Sequence, residues 1–240
     1  MADNAFAIPA VADIAPYGSD NLFARLRAAS GDDWQGFCRH AFVLGLGDGS
    51  LPGAAFRHYL VQDYLFLIQF ARAYGLAAYK SDSLHDLLAA SHLLSAIVDK
   101  EINLHLDYCD GWGLSQADLA QVAEDLATTA YTRYVLDRGL TGDLLDLFVA
   151  LAPCVVGYGE IGRRLAEDDN TRWYGNPYRE WIEMYAGEDY QRVAVNAVAE
   201  LDRLFHERGG AGRFNALAAS FGQATRLEIA FWDMGWRAGR

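Results

Sequence analysis

Three polar residues fall where helical spacing calls for apolar ones. Between residues 53 and 79 an apolar stripe runs through Phe56, Tyr59, Leu67, Phe70 and Tyr74, and Asp63 sits in the middle of it. Towards the C-terminus, Phe221, Ala224, Phe231, Trp232 and Gly235 define a face whose centre is Glu228, with Arg226 and Asp233 lying off it. Between 141 and 166 the stripe of Leu147, Leu151, Val155, Tyr158 and Ile161 includes Cys154. A buried cysteine is ordinarily a small hydrophobe, but Pro153 precedes this one and removes a backbone hydrogen bond beside the thiol. A lone buried carboxylate is costly unless it is paired or protonated. Two such acids imply either buried hydrogen-bonded networks or a pocket where polar side chains from three helices meet a ligand. Together with the thiol they favour the pocket.

The elements that must position these groups are helices. Apolar residues recur at three and four positions almost throughout, and no long alternating run argues for strands. Helices are expected near 19–29, 33–45, 53–79, 83–109, 115–138, 141–166, 177–187, 189–207 and 211–237. Ser115 with Asp118 has the form of a capping box, and Asn176 before Pro177 supplies an N-cap and a first-turn proline. The glycine-rich stretch 207–213 joins two helices and follows no strand, so it reads as a turn and not a phosphate loop. No linker, repeat or low-complexity run divides the chain. The expected organisation is a loose arm at 1–18 and one all-helical domain at 19–240, an all-α bundle with its ligand pocket between facing helices.

Composition narrows the partners. Thirty-two acids against twenty bases give a formal charge of −12, and the arginines are scattered among acids, so nucleic acid is not an expected partner. Three cysteines, Cys38, Cys109 and Cys154, are too few and too far apart for a disulfide framework or a zinc cage. Cys38 and Cys109 read as structural. The N-terminus has no basic region followed by an apolar run, so neither a signal peptide nor a membrane anchor is expected, and the reading is a cytoplasmic protein.

Several strings, taken in order, resemble a known family. These are FRHYLVQDYLFLIQFARAY (56–74), AYTRYVL (130–136), ALAPCVVGYGEIG (150–162), YREWIEMY (178–185) and LEIAFWDMGW (227–236). Their order and separation resemble the TenA family, which comprises thiaminase II, or aminopyrimidine aminohydrolase, on a heme-oxygenase-like all-helical fold. With Cys154 present, the chain is similar to the cysteine-bearing branch. The resemblance implies Cys154 as nucleophile and Glu228 as the acid that handles protons on a pyrimidine. It casts Asp63 as the carboxylate that holds the ring's amidine-like edge, and Phe66, Tyr131, Tyr158 and Tyr185 as pocket walls. Val155 and Val156 stand where family members often carry aromatic residues, which leaves pocket shape and substrate preference open, and Phe66 cannot donate the hydrogen bond of a tyrosine, which weakens one polar contact.

The implied substrate is a pyrimidine with a leaving group on its exocyclic methylene. That group is the amine of 4-amino-5-aminomethyl-2-methylpyrimidine or the thiazolium of thiamine. A thiolate adding to the ring lets ring electrons expel the group, after which water adds and the cysteine departs. No metal or cofactor is required. The resemblance also implies a homotetramer. Two other readings remain open at the level of sequence. One is a metal-dependent oxidase on the same fold, with Glu101 and His105 as ligands from one helix turn. It lacks a matching pair on a second helix, because His40, His58, His85 and His92 do not complete a set. The other is a non-enzymatic pyrimidine-binding or regulatory protein, which the negative charge and the lack of a basic helix-turn-helix disfavour as a DNA binder.

Overall fold

The structure, a computed structural model, describes residues 17–210 and 212–240. Among the described residues it is all helix, as expected. In chain order the helices are α1 (Leu22–Cys38), α2 (Ala41–Asp48), α3 (Gly53–Tyr79), α4 (Leu84–Ala96), a π-helical turn (Ile97–Glu101), α5 (Ile102–Gly111), α6 (Gln116–Leu119), α7 (Leu126–Thr141), α8 (Leu144–Glu167), α9 (Arg179–Ala186), α10 (Glu188–Arg208) and α11 (Phe214–Ala238).

Local chemistry explains most of the boundaries. Asn21, Ser83 and Asp125 each accept a backbone N–H at the start of α1, α4 and α7. The expected capping box at Ser115 and Asp118 is present, and a second one joins Asp143 to Asp146 at the start of α8. Gly49 ends α2 in the left-handed region, at φ 76°.

Several expected boundaries differ. The pair expected at 19–29 and 33–45 is instead α1, kinked at Gly31, followed by α2. The stretch 83–109 is two helices separated by the π-helical turn, and 115–138 is broken between α6 and α7. Asn176 does not cap a helix at 177. Its side-chain amide donates to the carbonyls of Leu46 and Gly47, its carbonyl oxygen accepts the Tyr178 N–H, and α9 begins only at Arg179. Pro153 sits inside α8, which continues as one helix through it. The expected arm falls largely on residues 1–16, outside the described residues. Tyr17, at its end, is buried and donates to Gln191 Oε1 at 2.9 Å.

The core gathers around α8 and α11. α8 packs on α9, α10 and α11, and α11 packs on α1, α3, α7 and α8. α8 is long and apolar enough to cross a membrane by composition, with a mean hydropathy of 1.7. However, 89% of that window is buried inside the protein, as suits a central core helix. Glycines allow this closeness. A Cβ at Gly162 would lie 2.5 Å from the Tyr185 backbone carbon, and one at Gly157 would lie 2.3 Å from the Phe37 ring, so the GYGEIG string brings α9 and α1 hard against α8.

Candidate active site

The two acids on apolar faces are both inside the core. Asp63 is 4% exposed and Glu228 2% exposed. Each has a designed set of partners. Tyr59, one turn before Asp63 on α3, donates its hydroxyl to Asp63 Oδ2 at 2.9 Å, and Trp181 Nε1 from α9 donates to that tyrosine at 3.3 Å. His105 from α5 meets the same Oδ2 through Nε2 at 2.8 Å. Its other nitrogen, Nδ1, lies 2.7 Å from the Glu101 carbonyl oxygen. A carbonyl can only accept, so Nδ1 carries a proton and Nε2 is the nitrogen that shares one with Asp63. Burial pulls the His105 value down, but the hydrogen bond and charge of Asp63 outweigh it and leave it raised. The contact with Asp63 thus favours the protonated form of His105.

Glu228 is held differently. Its Oε1 accepts the Tyr131 hydroxyl from α7 at 2.9 Å. Burial pushes the carboxyl up to about 8, against the lowering effect of the tyrosine and with a further push from Asp63. At neutral pH it is mostly the protonated acid. Tyr131 itself is raised well above the ordinary phenol value by burial and by Glu228, so it stays neutral and donates.

Cys154 stands on α8 at the wall of a cavity of about 470 Å³. Phe70 and Tyr74 of α3, Ile97 and Glu101 of the π-helical turn, Val155, and Tyr190 and Val193 of α10 share that wall. The cavity rim carries Glu183, Glu188 and Asp189. Burial raises the Cys154 thiol well above its usual value, and the charges of Glu228, Glu101 and Asp63 raise it further. In the resting protein it is a thiol.

Of the seven residues singled out in the sequence, only Cys154 lines this cavity. Asp63, Phe66, Tyr131, Tyr158, Tyr185 and Glu228 are buried in the core and are not among its lining residues. Phe66 packs on Tyr131 and Phe231 with ring centres 5.0 and 5.5 Å away. On the other side Tyr158 packs on Tyr185 and Trp232 at 5.0 and 5.3 Å. Val155 lies on the cavity wall, where an aromatic side chain would fill space, whereas Val156 is fully buried. Gln62, the partner of Asp63 in the Gln-Asp pair, works on the neighbouring segment. Its Nε2 donates to the Ala123 carbonyl at 3.0 Å, and its Oε1 accepts from Asp125 N and Thr128 Oγ1 at 2.8 and 2.7 Å. That clamp sets the start of α7 and hence Tyr131.

In the sequence Glu101 and His105 stand out only as a metal pair. In the structure both His105 ring nitrogens are engaged in hydrogen bonds, so ligation would break one of them. Glu101 instead accepts the Tyr185 hydroxyl at 3.3 Å through Oε1. Tyr59, four residues before Asp63, and His105, four after Glu101, repeat the one-turn spacing that could have revealed them.

Comparison with known proteins gives the family of the chain. The family model described as TENA/THI-4/PQQC matches residues 29–238. An aminopyrimidine aminohydrolase of Halalkalibacterium halodurans is 36% identical over 205 residues, covering 85% of this chain and 90% of that protein. One from Bacillus subtilis is 28% identical, covering 88% of each chain. Among solved structures, a TenA family transcription regulator from Silicibacter superposes with a TM-score of 0.86 at 44% identity. That alignment covers 92% of this chain and 98% of the other. With the match spanning nearly the whole described bundle, the chain belongs to the TENA/THI-4/PQQC family.

Proposed function

We propose that the protein is a thiaminase II-like hydrolase. It replaces the leaving group on the exocyclic methylene of an aminopyrimidine by water, giving hydroxymethylpyrimidine within thiamine metabolism. The relatives named aminopyrimidine aminohydrolase support the reaction class. The single observation that carries it is the position of Cys154. It is on the cavity wall and within electrostatic reach of three acids, one of which is a protonated donor.

In this reading the pyrimidine passes Cys154 at the inner end of the cavity and reaches the buried acids and tyrosines. Asp63, fixed by Tyr59 and His105, accepts from the ring's amino edge through an oxygen those groups leave available. The aromatic rings around Phe66, Tyr131, Tyr158 and Tyr185 stack the ring and exclude water. Cys154 sulfur adds to a ring carbon, and Glu228 delivers a proton to the ring nitrogen as charge develops there. Ring electrons then expel the leaving group with its C–N electron pair, as ammonia from the ammonium form or as neutral thiazole; water adds to the methylene and releases one proton to solvent, and the sulfur leaves as aromaticity returns. The space left by Val155 accommodates the leaving group.

One structural relative is named as a transcription regulator. Against DNA contact here stands the formal charge of −12. The test is to incubate the purified protein with 4-amino-5-aminomethyl-2-methylpyrimidine and with thiamine and assay hydroxymethylpyrimidine. Product from either substrate supports the hydrolase. Tight pyrimidine binding with no product favours a regulator.

A further inference from the structure

The buried thiol poses a problem that the site described so far does not solve. Addition to the ring needs sulfur without its proton, yet burial and three nearby acids hold that proton on Cys154. Some group must take it. Asp63 Oδ2 already receives both Tyr59 and His105. Glu228 is needed in its protonated form, bound to Tyr131. Glu101 is the third acid, and it alone among the three shares the cavity wall with Cys154. Its Oε1 accepts the Tyr185 hydroxyl, and among the described residues its Oε2 accepts no hydrogen bond. It ends the π-helical turn, an irregularity that often marks a functional position on a helix.

We propose that Glu101 is the general base that takes the Cys154 thiol proton as the sulfur adds to the substrate ring, and that returns it when the sulfur leaves. This role rests on the hydrolase reading. The step balances. The S–H bond breaks and its proton goes to the Glu101 carboxylate, and the sulfur electron pair forms the S–C bond. The ring C=N π pair moves to nitrogen, which takes the Glu228 proton. Departure of the sulfur reverses each transfer.

The ionisable surroundings of Glu101 fit the role. His105 lies one turn on, Asp63 and Tyr74 come from α3, Cys154 from α8, Tyr185 from α9 and Tyr190 from α10, while Glu183, Glu188 and Asp189 lie on the cavity rim. Burial lifts the carboxyl to about 7, with His105 and the Tyr185 hydrogen bond lowering it and Asp63 raising it. A base poised near neutrality can both accept and return a proton.

Glu101→Gln separates a base from a bystander charge. Removing a negative charge near the thiol eases its ionisation, so alkylation of Cys154 by iodoacetamide, followed by intact mass, becomes faster. A base's removal lowers hydroxymethylpyrimidine formation by about a hundredfold in kcat and flattens the acid limb of kcat/KM near neutrality. Faster alkylation with slower turnover, and partial recovery in Glu101→Asp, is the expected result. Turnover within about threefold of the native protein, with the acid limb intact, overturns the role. So does a parallel fall in turnover and alkylation, which shows that Glu101 only shapes the site. A native protein that makes no product removes the hydrolase reading itself, a result distinct from an active native protein whose Glu101→Gln variant is equally active.

Discussion

Tyr131 on α7 donates its hydroxyl to Glu228 on α11 across 2.9 Å, tying the two helices together at the proton-handling carboxyl. The tyrosine stabilises the ionised acid and so holds its value below what burial alone would give. Tyr131→Phe therefore raises Glu228 further. The alkaline limb of kcat/KM, where the acid loses the proton it must donate, moves to higher pH, and kcat falls by about tenfold as the acid loses its orientation. A pH–rate profile of the variant checks both. An unmoved alkaline limb would mean that another group sets it.

The same carboxyl makes stability depend on pH in the less common direction for an acid. Its folded value, about 8, lies above the ordinary 4.5, so the folded protein binds the extra proton across that window. This contribution is fully present below pH 4.5 and is lost as pH rises through about 8. Glu228→Gln removes the dependence. Melting curves from about pH 5 to pH 8.5 should show the variant gaining on the native protein by roughly 10 °C at the alkaline end. A gap that stays constant contradicts a protonated, buried Glu228.

Part of this site was legible in the sequence, and the reason is periodicity. Asp63, Glu228 and Cys154 stand out because an apolar stripe predicts the burial of whatever occupies it, and all three lie in the core or on the cavity wall. Periodicity says nothing about what lies across the interface. Thus the pairing of Asp63 with His105, from a helix forty-two positions on, could not be read. Nor could the break before α7, where Gln62 of α3 binds the backbone at Ala123 and Asp125 and holds the chain out of a helix that local sequence would continue. The π-helical turn was hidden for a different reason. One extra residue per turn shifts the stripe without introducing a proline or glycine, so 83–109 reads as one helix.

His105 is worth most as a partner for a buried charge. His105→Leu leaves Asp63 with Tyr59 alone, and an uncompensated buried carboxylate costs about 3 kcal/mol. For a chain of this length that is a fall in Tm of roughly 6–12 °C. Because Asp63 also loses its orientation, KM for the pyrimidine should rise more than kcat falls. Thermal melts together with steady-state kinetics check the pair of effects. A variant as stable as the native protein would show that the ion pair contributes nothing.

Close contact between α8 and α9 is required to hold Tyr185 against Glu101. Gly162→Ala places a Cβ 2.5 Å from the Tyr185 backbone, with no flexible side chain to yield. The helices must part, at a cost of about 2 kcal/mol. The variant should melt lower and lose activity, while Gly75→Ala, where nothing lies within 4 Å of the added Cβ, should do neither. Equal behaviour of the two variants would contradict this packing.

Covalent catalysis by Cys154 is the centre of the account. Hydroxymethylpyrimidine formation from 4-amino-5-aminomethyl-2-methylpyrimidine and from thiamine, compared between the native protein and Cys154→Ser, tests it most directly. Serine keeps the shape and removes the thiol, so the variant should bind substrate but turn it over slower by on the order of a thousandfold. Product formed by Cys154→Ser at a rate close to that of the native protein would contradict the nucleophile, and with it the sequence of steps built on that thiol.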